Sequence, residues 1–396
     1  MSWPSVPDAP ALIASDQNFY DTEEWYRVFE ETCLDPGDLP RIECLDGGHV
    51  LPLRERPDSI GPIRGRRLEW FGNYYTCRYA PLLTGPDAAS AIAKWGREIR
   101  RSKPRPSLLV FAAMDRPSAG FDALWTGLRQ AGYLVEATED FGNWYLNLAS
   151  VGDFQSYWAD RNSRLRNTVE RKERALFRAH RARVELLETP AESARAIDLY
   201  QRVHTGSWKQ PEPYPNFIPS LIAAGLGAGA VRIGVLTVDD EPVAAQLWIV
   251  WNRRATIFKL AYAEQFARFS PGSILTRHMM RDAFNRGGLD EIDFGCGDDP
   301  YKQEWLPERR QRWILTAYDP LSPAGAAHTF RRYVPRLVRR RLLGRRCSGV
   351  NLRDKWWRSQ DLNLKLLTRR PGLSRLSYSP ESSSVVSAQG AYKPSP

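Results

Sequence analysis

The sequence predicts a mixed α/β (α+β) protein of two related halves joined by a long polar helix. Three observations lead there. The second half runs helix, three antiparallel strands, helix, strand, loop, strand. The first half follows the same strand-then-helix scheme less clearly. Between them, about Gly152 to Arg183, lies an Arg-rich stretch with few apolar residues, "SRLRNTVERKERALFRAHRARV". No short-period repeat is present, so a solenoid is excluded.

Taken in order, Asp21 to Glu31 reads as a short helix. "RIECLDGGHVLPLRER" is a hairpin, two β-rich runs around a "DGG" turn. "RRLEWFGNYYTCRYAPLL" continues as strand and loop. "DAASAIAKWGREIR" has helical spacing, with Ala91, Ala93, Trp95 and Ile99 inward. "SLLVFAAM" is a buried strand, "FDALWTGLRQAGY" a helix ended by Gly132, and "YLVEATEDFGNWYLNL" a strand. After the polar stretch, "ESARAIDLYQRVHTGSWK" is an amphipathic helix. "VRIGVLTVDDEPVAAQLWIVWNRRATIFKLAYAE" gives three strands with turns at "DDEP" and "NRR". "FSPGSILTRHMMRDAFNRGG" is a helix. Ser270 suits its N-cap, Pro271 its first position and Gly287-Gly288 its C-cap. Ile274, Leu275, His278, Met279 and Ala283 trace its apolar face. "LDEIDF" and "RRQRWILTAY" are the last strands.

Totals exclude several classes. The 396 residues suit two domains of ordinary size. No apolar run approaches the roughly 18–20 residues of a membrane helix, and the first residues, without a basic and an apolar region, lead to the expectation of no signal peptide. Five scattered cysteines without a C-x-x-C pair oppose structural zinc and a disulfide framework. A cytoplasmic location is expected. The net charge of +10 is uneven: residues 321–396 hold 16 basic against 3 acidic side chains, leaving 40 against 43 in the body. The near-neutral body argues against a DNA-binding face.

Four stretches carry candidate chemistry. In "SPGSIL" a helix N-terminus could hold a pyrophosphate on free N–H groups, with Ser270, Gly272 and Ser273 as donors, or simply be capped. "IDFGCGDDPYKQEW" is no dinucleotide loop, because such a loop opens a helix and here Pro300 and a strand follow. The spacing of Asp293, Asp298 and Asp299 matches no Ca²⁺ loop, so no metal site is expected. What remains is a structural turn, or a cleft wall carrying Tyr301 to orient or protonate a leaving group and Lys302 to hold a phosphate or oxyanion. Asp293, just before the turn, joins the expected substrate-binding set. "HTGSWK" places His204 and Trp208 at i,i+4: a packed pair, or a cleft mouth where His204 acts as general base and Trp208 and Lys209 touch substrate. Asn73 and Tyr75 of "FGNYYT" read as a packed strand end. His278 reads as a core histidine.

The ordered set "EPVAAQLWIVWNRRATIFKLAYAEQFARFSPGSIL…GGLDEIDFGCGDDPYKQEW" resembles the acyltransferases of the GNAT superfamily. It is most similar to the CelD/BcsL-like, cellulose-biosynthesis-type branch, related to the Fem-type aminoacyltransferases. The resemblance is strongest over 231–305 and spans roughly 43–319. It implies two tandem GNAT-like domains, the first degenerate, with the substrate cleft between them. It implies acyl-CoA as donor (acetyl-CoA first) and direct transfer to an amine or hydroxyl, such as that of a cell-surface polysaccharide or precursor. It implies a site role for the Tyr301-Lys302 pair, and adds Arg166 and Asn167 of "SRLRNT" to the cleft. The usual Q/R-x-x-G-x-G/A phosphate signature is replaced by "FARFSPGS". A Fem-like transferase using aminoacyl-tRNA and a non-catalytic glycan- or synthase-binding protein of the same fold are the alternatives.

The expected division is an N-terminal domain over 1–150, a linking helix over 151–185, the acyltransferase domain over 186–320, a basic segment over 321–346 and a disordered tail over 347–396. The basic segment, over 328–346, is either a peripheral membrane contact or an unstructured extension. "WWRSQDLNL" in the tail resembles translated tRNA-gene sequence, as expected of read-through.

Overall fold

Alternating and apolar runs place eleven strands in one sheet, seen in a computed structural model that describes residues 18–335. In the first half, α1 (Glu23–Cys33) is capped by Thr22, whose hydroxyl accepts from the Trp25 N–H. β1 (Leu39–Cys44) and β2 (Val50–Ile60) form the expected hairpin, and β3 (Ile63–Trp70) pairs with β2. α2 (Ala88–Arg101), β4 (Leu108–Met114), α3 (Ala119–Gln130) and the long β5 (Leu134–Asn147) follow.

The expected 151–185 helix is corrected. It is α4 (Phe154–Asp160) and α5 (Ser163–Ala179), followed by a strand, β6 (Ala182–Leu187). The break lies at Arg161, whose ψ of 152° is extended, and Asn162 caps α5 by accepting from the Arg164 N–H. A chain with its own N-cap at mid-stretch starts a new helix there.

The second half continues with α6 (Ser193–Thr205), α7 (Phe217–Gly227), β7 (Val231–Val238), β8 (Glu241–Trp251) and β9 (Arg254–Tyr262). Positive φ at Asp239-Asp240 and Asn252-Arg253 makes both hairpin turns tight, as "DDEP" and "NRR" suggest. α8 (Pro271–Arg286), β10 (Glu291–Asp293), the four-residue α9 (Lys302–Trp305), β11 (Glu308–Tyr318) and α10 (Pro323–His328) complete it.

The strand order is β1-β2-β3-β4-β11-β5-β10-β9-β8-β7-β6. β11 leaves the second half to sit between β4 and β5 of the first, antiparallel to both. β5 then pairs with β10, so the sheet runs unbroken through both halves. One core cluster gathers α1, α6 and α7 with Ala245, Leu247 and Ile249 of β8. The other gathers α4, α5 and α8 with Ala244 and Trp248. β8 thus presents alternate side chains to two helical layers, as its pleat requires.

α10 docks on the first half through a buried polar cluster. The Asp58 carboxylate accepts from Ser107 Oγ and lies 2.9 Å from His328 Nε2. Burial pushes the Asp58 carboxyl up, but the hydrogen bonds from His328 and Ser107 outweigh it and hold it at about 2, below the ordinary 3.8. A depressed carboxyl stabilises the fold above its unfolded pKa, and that stability is lost as pH falls through the folded one. Asp58 is therefore expected to contribute about 2 kcal/mol above pH 4, vanishing towards pH 2. Urea denaturation of wild type and Asp58→Asn checks this: their stability difference should shrink over that window, and a pH-independent difference refutes it.

The part of the basic segment within the described residues is ordered, with His328 buried and Tyr333 packed 5.7 Å from Tyr318. The rest of that segment and the 347–396 tail lie outside the described residues. Among the described residues no helix is long and apolar enough to cross a membrane.

Candidate active site

The site is built on β9, and β9 is irregular for a reason the pairing shows. β10 runs parallel to it only over Arg254–Thr256 and stops at Asp293, while β9 continues to Tyr262. The last six residues of β9 therefore have no strand partner on the β10 side. Phe258, Lys259 and Leu260 are only half-buried, although β9 lies well inside the sheet. β8 pairs Leu247 with Lys259 and Trp248 with Ile257, so Phe258 is an extra, bulged residue. A bulge breaks the alternation of faces. Phe258 and Lys259 consequently both reach Tyr75, the first at a ring separation of 6.4 Å, the second with Nζ 4.7 Å from the ring centre.

On one face of β9 lies the start of α8. Gly272 lets the helix start approach β9 closely: a Cβ would come within 3.1 Å of Tyr262 and 3.4 Å of Leu260. Ser270 does not cap the helix as expected. It adopts a left-handed φ of 52°, makes no side-chain cap, and its Oγ accepts from Lys172 Nζ at 2.7 Å. The Ser273 N–H is bonded to the Ser270 carbonyl at 3.0 Å. The positive helix end is thus reinforced by a lysine from α5.

On the other face lies a polar cluster centred on Glu212, a residue not singled out in the sequence. It sits in "KQPEPYPNF", a Pro-rich loop without periodicity. Lys259 donates to Glu212 Oε1 at 2.7 Å and Tyr75 Oη to Oε2 at 2.5 Å. His204 Nε2 lies 3.8 Å from Oε1 and is buried without a hydrogen-bond partner. Burial raises the Glu212 carboxyl, but Lys259 and the bonds from Lys259 and Tyr75 prevail and hold it below its ordinary value. Burial lowers His204, assisted by Lys209 and Lys259 and opposed by Glu212.

α6 ends at Thr205, so His204 and Trp208 are not the expected helical i,i+4 pair. His204 stacks on Tyr200 at 6.0 Å, whereas Trp208, in the loop beyond, lies 4.3 Å from Tyr262 and is 48% exposed. Next to it Lys209 is lowered to about 8, first by burial, then by the nearby charges of Lys259 and Lys302.

The opening turn of "IDFGCGDDPYKQEW" closes the cluster. Gly295 and Gly297 take φ of 58° and 102°, conformations that glycine adopts freely. Lys302 does not project from this turn. It is 5% exposed, and its Nζ donates to the carbonyls of Cys296 at 2.5 Å, Gly297 at 3.3 Å and Phe294 at 3.4 Å, with Asp299 at 3.1 Å. Asp293 is likewise buried, accepting from the Gly295 N–H, Asn143 Nδ2 and Thr256 Oγ1. Burial raises its carboxyl despite Arg310. Both residues hold the turn. Asn143, unremarked in the sequence, ties it to β5 through Asp293 and the Gly295 carbonyl at 2.7 Å. Tyr301 is 45% exposed and pushed by burial to about 12.

Arg166 and Asn167 stand apart from the Glu212 cluster in their contacts. Arg166 donates to the Arg161 carbonyl at 3.1 Å, and Asn167 is exposed on α5. His278 is not a core histidine; it pairs with Glu173 of α5 at 2.5 Å, beside a cavity of about 210 Å³ that shares no residue with the cluster. No group of three or more His, Cys, Asp or Glu among the described residues is placed to hold a metal.

Residues 163–303 match the family model of the acetyltransferase (GNAT) domain. No curated protein matches the chain. Among solved structures, FemX aligns over 76% of this chain and 92% of its own, at 10% identity and a TM-score of 0.51. The C-terminal DUF2156 domain of an Agrobacterium fabrum protein named as a lysylphosphatidylglycerol synthetase aligns over 74% and 88%, at 14% identity and 0.49. A tandem GNAT protein from the clavulanic acid biosynthesis pathway aligns over 73% and 86%, at 13% identity and 0.41. At such identities the likeness is one of fold. The mixed α/β fold expected from the sequence is the GNAT fold.

Proposed function

We propose that the chain is a CelD/BcsL-like acyltransferase that moves an acyl group, acetyl first, from acyl-CoA to an amine or hydroxyl of a cell-surface polysaccharide or its precursor. The observation that carries this reading is the unpaired end of β9, with a positive helix end on one face and the His204–Glu212–Lys259 cluster on the other. The residues suit a CoA co-substrate. The N-terminus of α8 and Lys172 would take phosphates, and the open main chain of β9 would pair with the amide groups of the pantetheine arm.

The transfer is direct. His204, kept neutral by burial, takes the proton of the acceptor amine or hydroxyl. The freed lone pair attacks the thioester carbonyl, and N–H groups of the open β9 edge polarise the oxygen. Collapse breaks the C–S bond and expels the CoA thiolate. Tyr301, which keeps its proton at neutral pH, is the donor available to that sulfur. The tandem division into 1–150 and 186–320 is retained as the functional organisation, with Tyr75 of the first part closing on Glu212 of the second.

One observation favours a second donor. Arg164, Arg171, Arg174 and Arg178 are exposed along α5, the helix that brings Lys172 to α8, and suit a nucleic-acid backbone such as aminoacyl-tRNA. Isothermal titration separates the two. Acetyl-CoA is expected to bind with micromolar affinity, weakened at least tenfold by Lys172→Glu. His204→Gln should lower turnover about 10²-fold with that affinity unchanged. Retention of tRNA without acetyl-CoA binding favours the second donor; binding of neither leaves a non-catalytic glycan- or synthase-binding protein.

A further inference from the structure

The cluster around Glu212 is one negative charge short. Three lysines approach it: Lys209, Lys259 and Lys302. Lys259 is neutralised by Glu212 at 2.7 Å, and Lys302 by Asp299 at 3.1 Å together with three carbonyls. Lys209 has no such partner. Among the described residues its ammonium makes no hydrogen bond or ion pair, only a contact at 5.9 Å with the ring of Trp208. It is nonetheless half-buried. The ammonium itself still reaches solvent, so a positive charge without a counter-charge stands open to a ligand at the edge of the cluster.

The surroundings indicate which substrate supplies it. Lys209 follows the exposed Trp208, and the turn that carries Lys302 presents the exposed Tyr301. Tyr75, from the first half, bonds the Glu212 that faces these lysines. Phe258, beside Lys259, packs with α1, α6 and α7, whereas Leu260 and Tyr262 face the start of α8. The Glu212–Lys259 pair and the α8 N-terminus are therefore on opposite faces of β9, while Trp208, next to Lys209, reaches Tyr262 on the α8 side at 4.3 Å. The charges that act on Lys209 are those of Lys259, Glu212, Lys302 and Asp299, which assigns an anion there to the Glu212 side.

We infer that Lys209 receives a carboxylate or phosphate of the acceptor, so that the enzyme acts on an anionic acceptor with its nucleophile a few bonds from the charge. This rests on the acyltransferase reading for the word acceptor, and on the cluster alone for the anion. The lowered ionisation of Lys209 agrees with it, since a bound anion would restore the ordinary value.

The test uses the full chain and isothermal titration with inorganic phosphate and with acetate, on wild type, Lys209→Gln and Lys209→Arg. Wild type should bind one of the two, Lys209→Gln should bind it at least tenfold more weakly, and Lys209→Arg should recover most of the loss. Preference for phosphate assigns a phosphorylated acceptor, preference for acetate a carboxylate. Equal binding by wild type and Lys209→Gln overturns the inference. So does competition: if saturating acetyl-CoA displaces the phosphate, the anion belongs to the donor. Anion binding that persists in a protein unable to bind acetyl-CoA leaves this site standing and removes the acyl-CoA reading instead. A transfer assay with an amino sugar and with its phosphate ester should show KM at least tenfold lower for the ester, a gap that Lys209→Gln closes.

Discussion

Lys302→Met is expected to lower the melting temperature by roughly 3–6 °C, and to lose activity only as a consequence. The side chain is buried, and its ammonium is shared among the carbonyls of Phe294, Cys296 and Gly297 and the Asp299 carboxylate. Methionine fills the space but leaves those oxygens without a donor. A broken charged hydrogen-bond set costs about 3 kcal/mol, and each kcal/mol moves the midpoint of a chain this size by about 1–2 °C. Arginine should not rescue, because a planar guanidinium cannot converge on three carbonyls of one tight turn. Thermal denaturation followed by circular dichroism, beside an activity assay, decides the matter. A variant with wild-type melting and no activity would return Lys302 to the chemistry; a loss of both places it in the turn.

That prediction also shows where reading the sequence stops. "DPYK" marks a lysine after a glycine turn, and such a lysine can point out of the turn or into it. The choice depends on three main-chain carbonyls, and only the folded turn aligns them. The same holds at Glu212. Nothing in "KQPEPYPNF" distinguishes its glutamate, because the chain meets Tyr75, 137 residues earlier, only after both halves are assembled. Lys259 did leave a trace: a charge in the apolar run "TIFKLAY". What aims it is the bulge at Phe258, set by pairing with β8 and invisible in one strand alone.

Most strands and helices were legible because their apolar periods are local. The hairpin at "DGG", the three strands of β7 to β9 and the helix after "FSPGS" all appear where the pattern puts them. Two of the elements that escaped show why. β6 is hidden by arginines at Arg181 and Arg183 that continue the polar character of α5. α7, "FIPSLIAAGLG", is apolar nearly all round, so it lacks the one-sided stripe that announces a helix. The seat of β11 between β4 and β5 was not legible either, since strand order is a property of the closed sheet and not of any segment.

Glu212→Gln is expected to lower kcat/KM by about 10²-fold and to move the rise of rate with pH towards lower pH. Glutamine has nearly the same shape and can still accept from Tyr75, so the effect isolates the charge. The Glu212 carboxylate raises both His204 and Lys209 against the burial that lowers them. Without it both shift further down. His204 must be neutral to take a proton, so the half-point of its ascending limb moves in the acidic direction. A weaker base then abstracts the proton less well at every pH above that limb, which is why turnover falls while a larger fraction of His204 is neutral. Lys259 simultaneously loses its counter-charge at 2.7 Å, so anions should bind the variant more tightly than wild type. The pH profile of kcat/KM and phosphate titration together check this. An unmoved limb removes His204 as the base, whatever the loss in rate, and unchanged phosphate affinity would show that the anion does not sense the Glu212 charge.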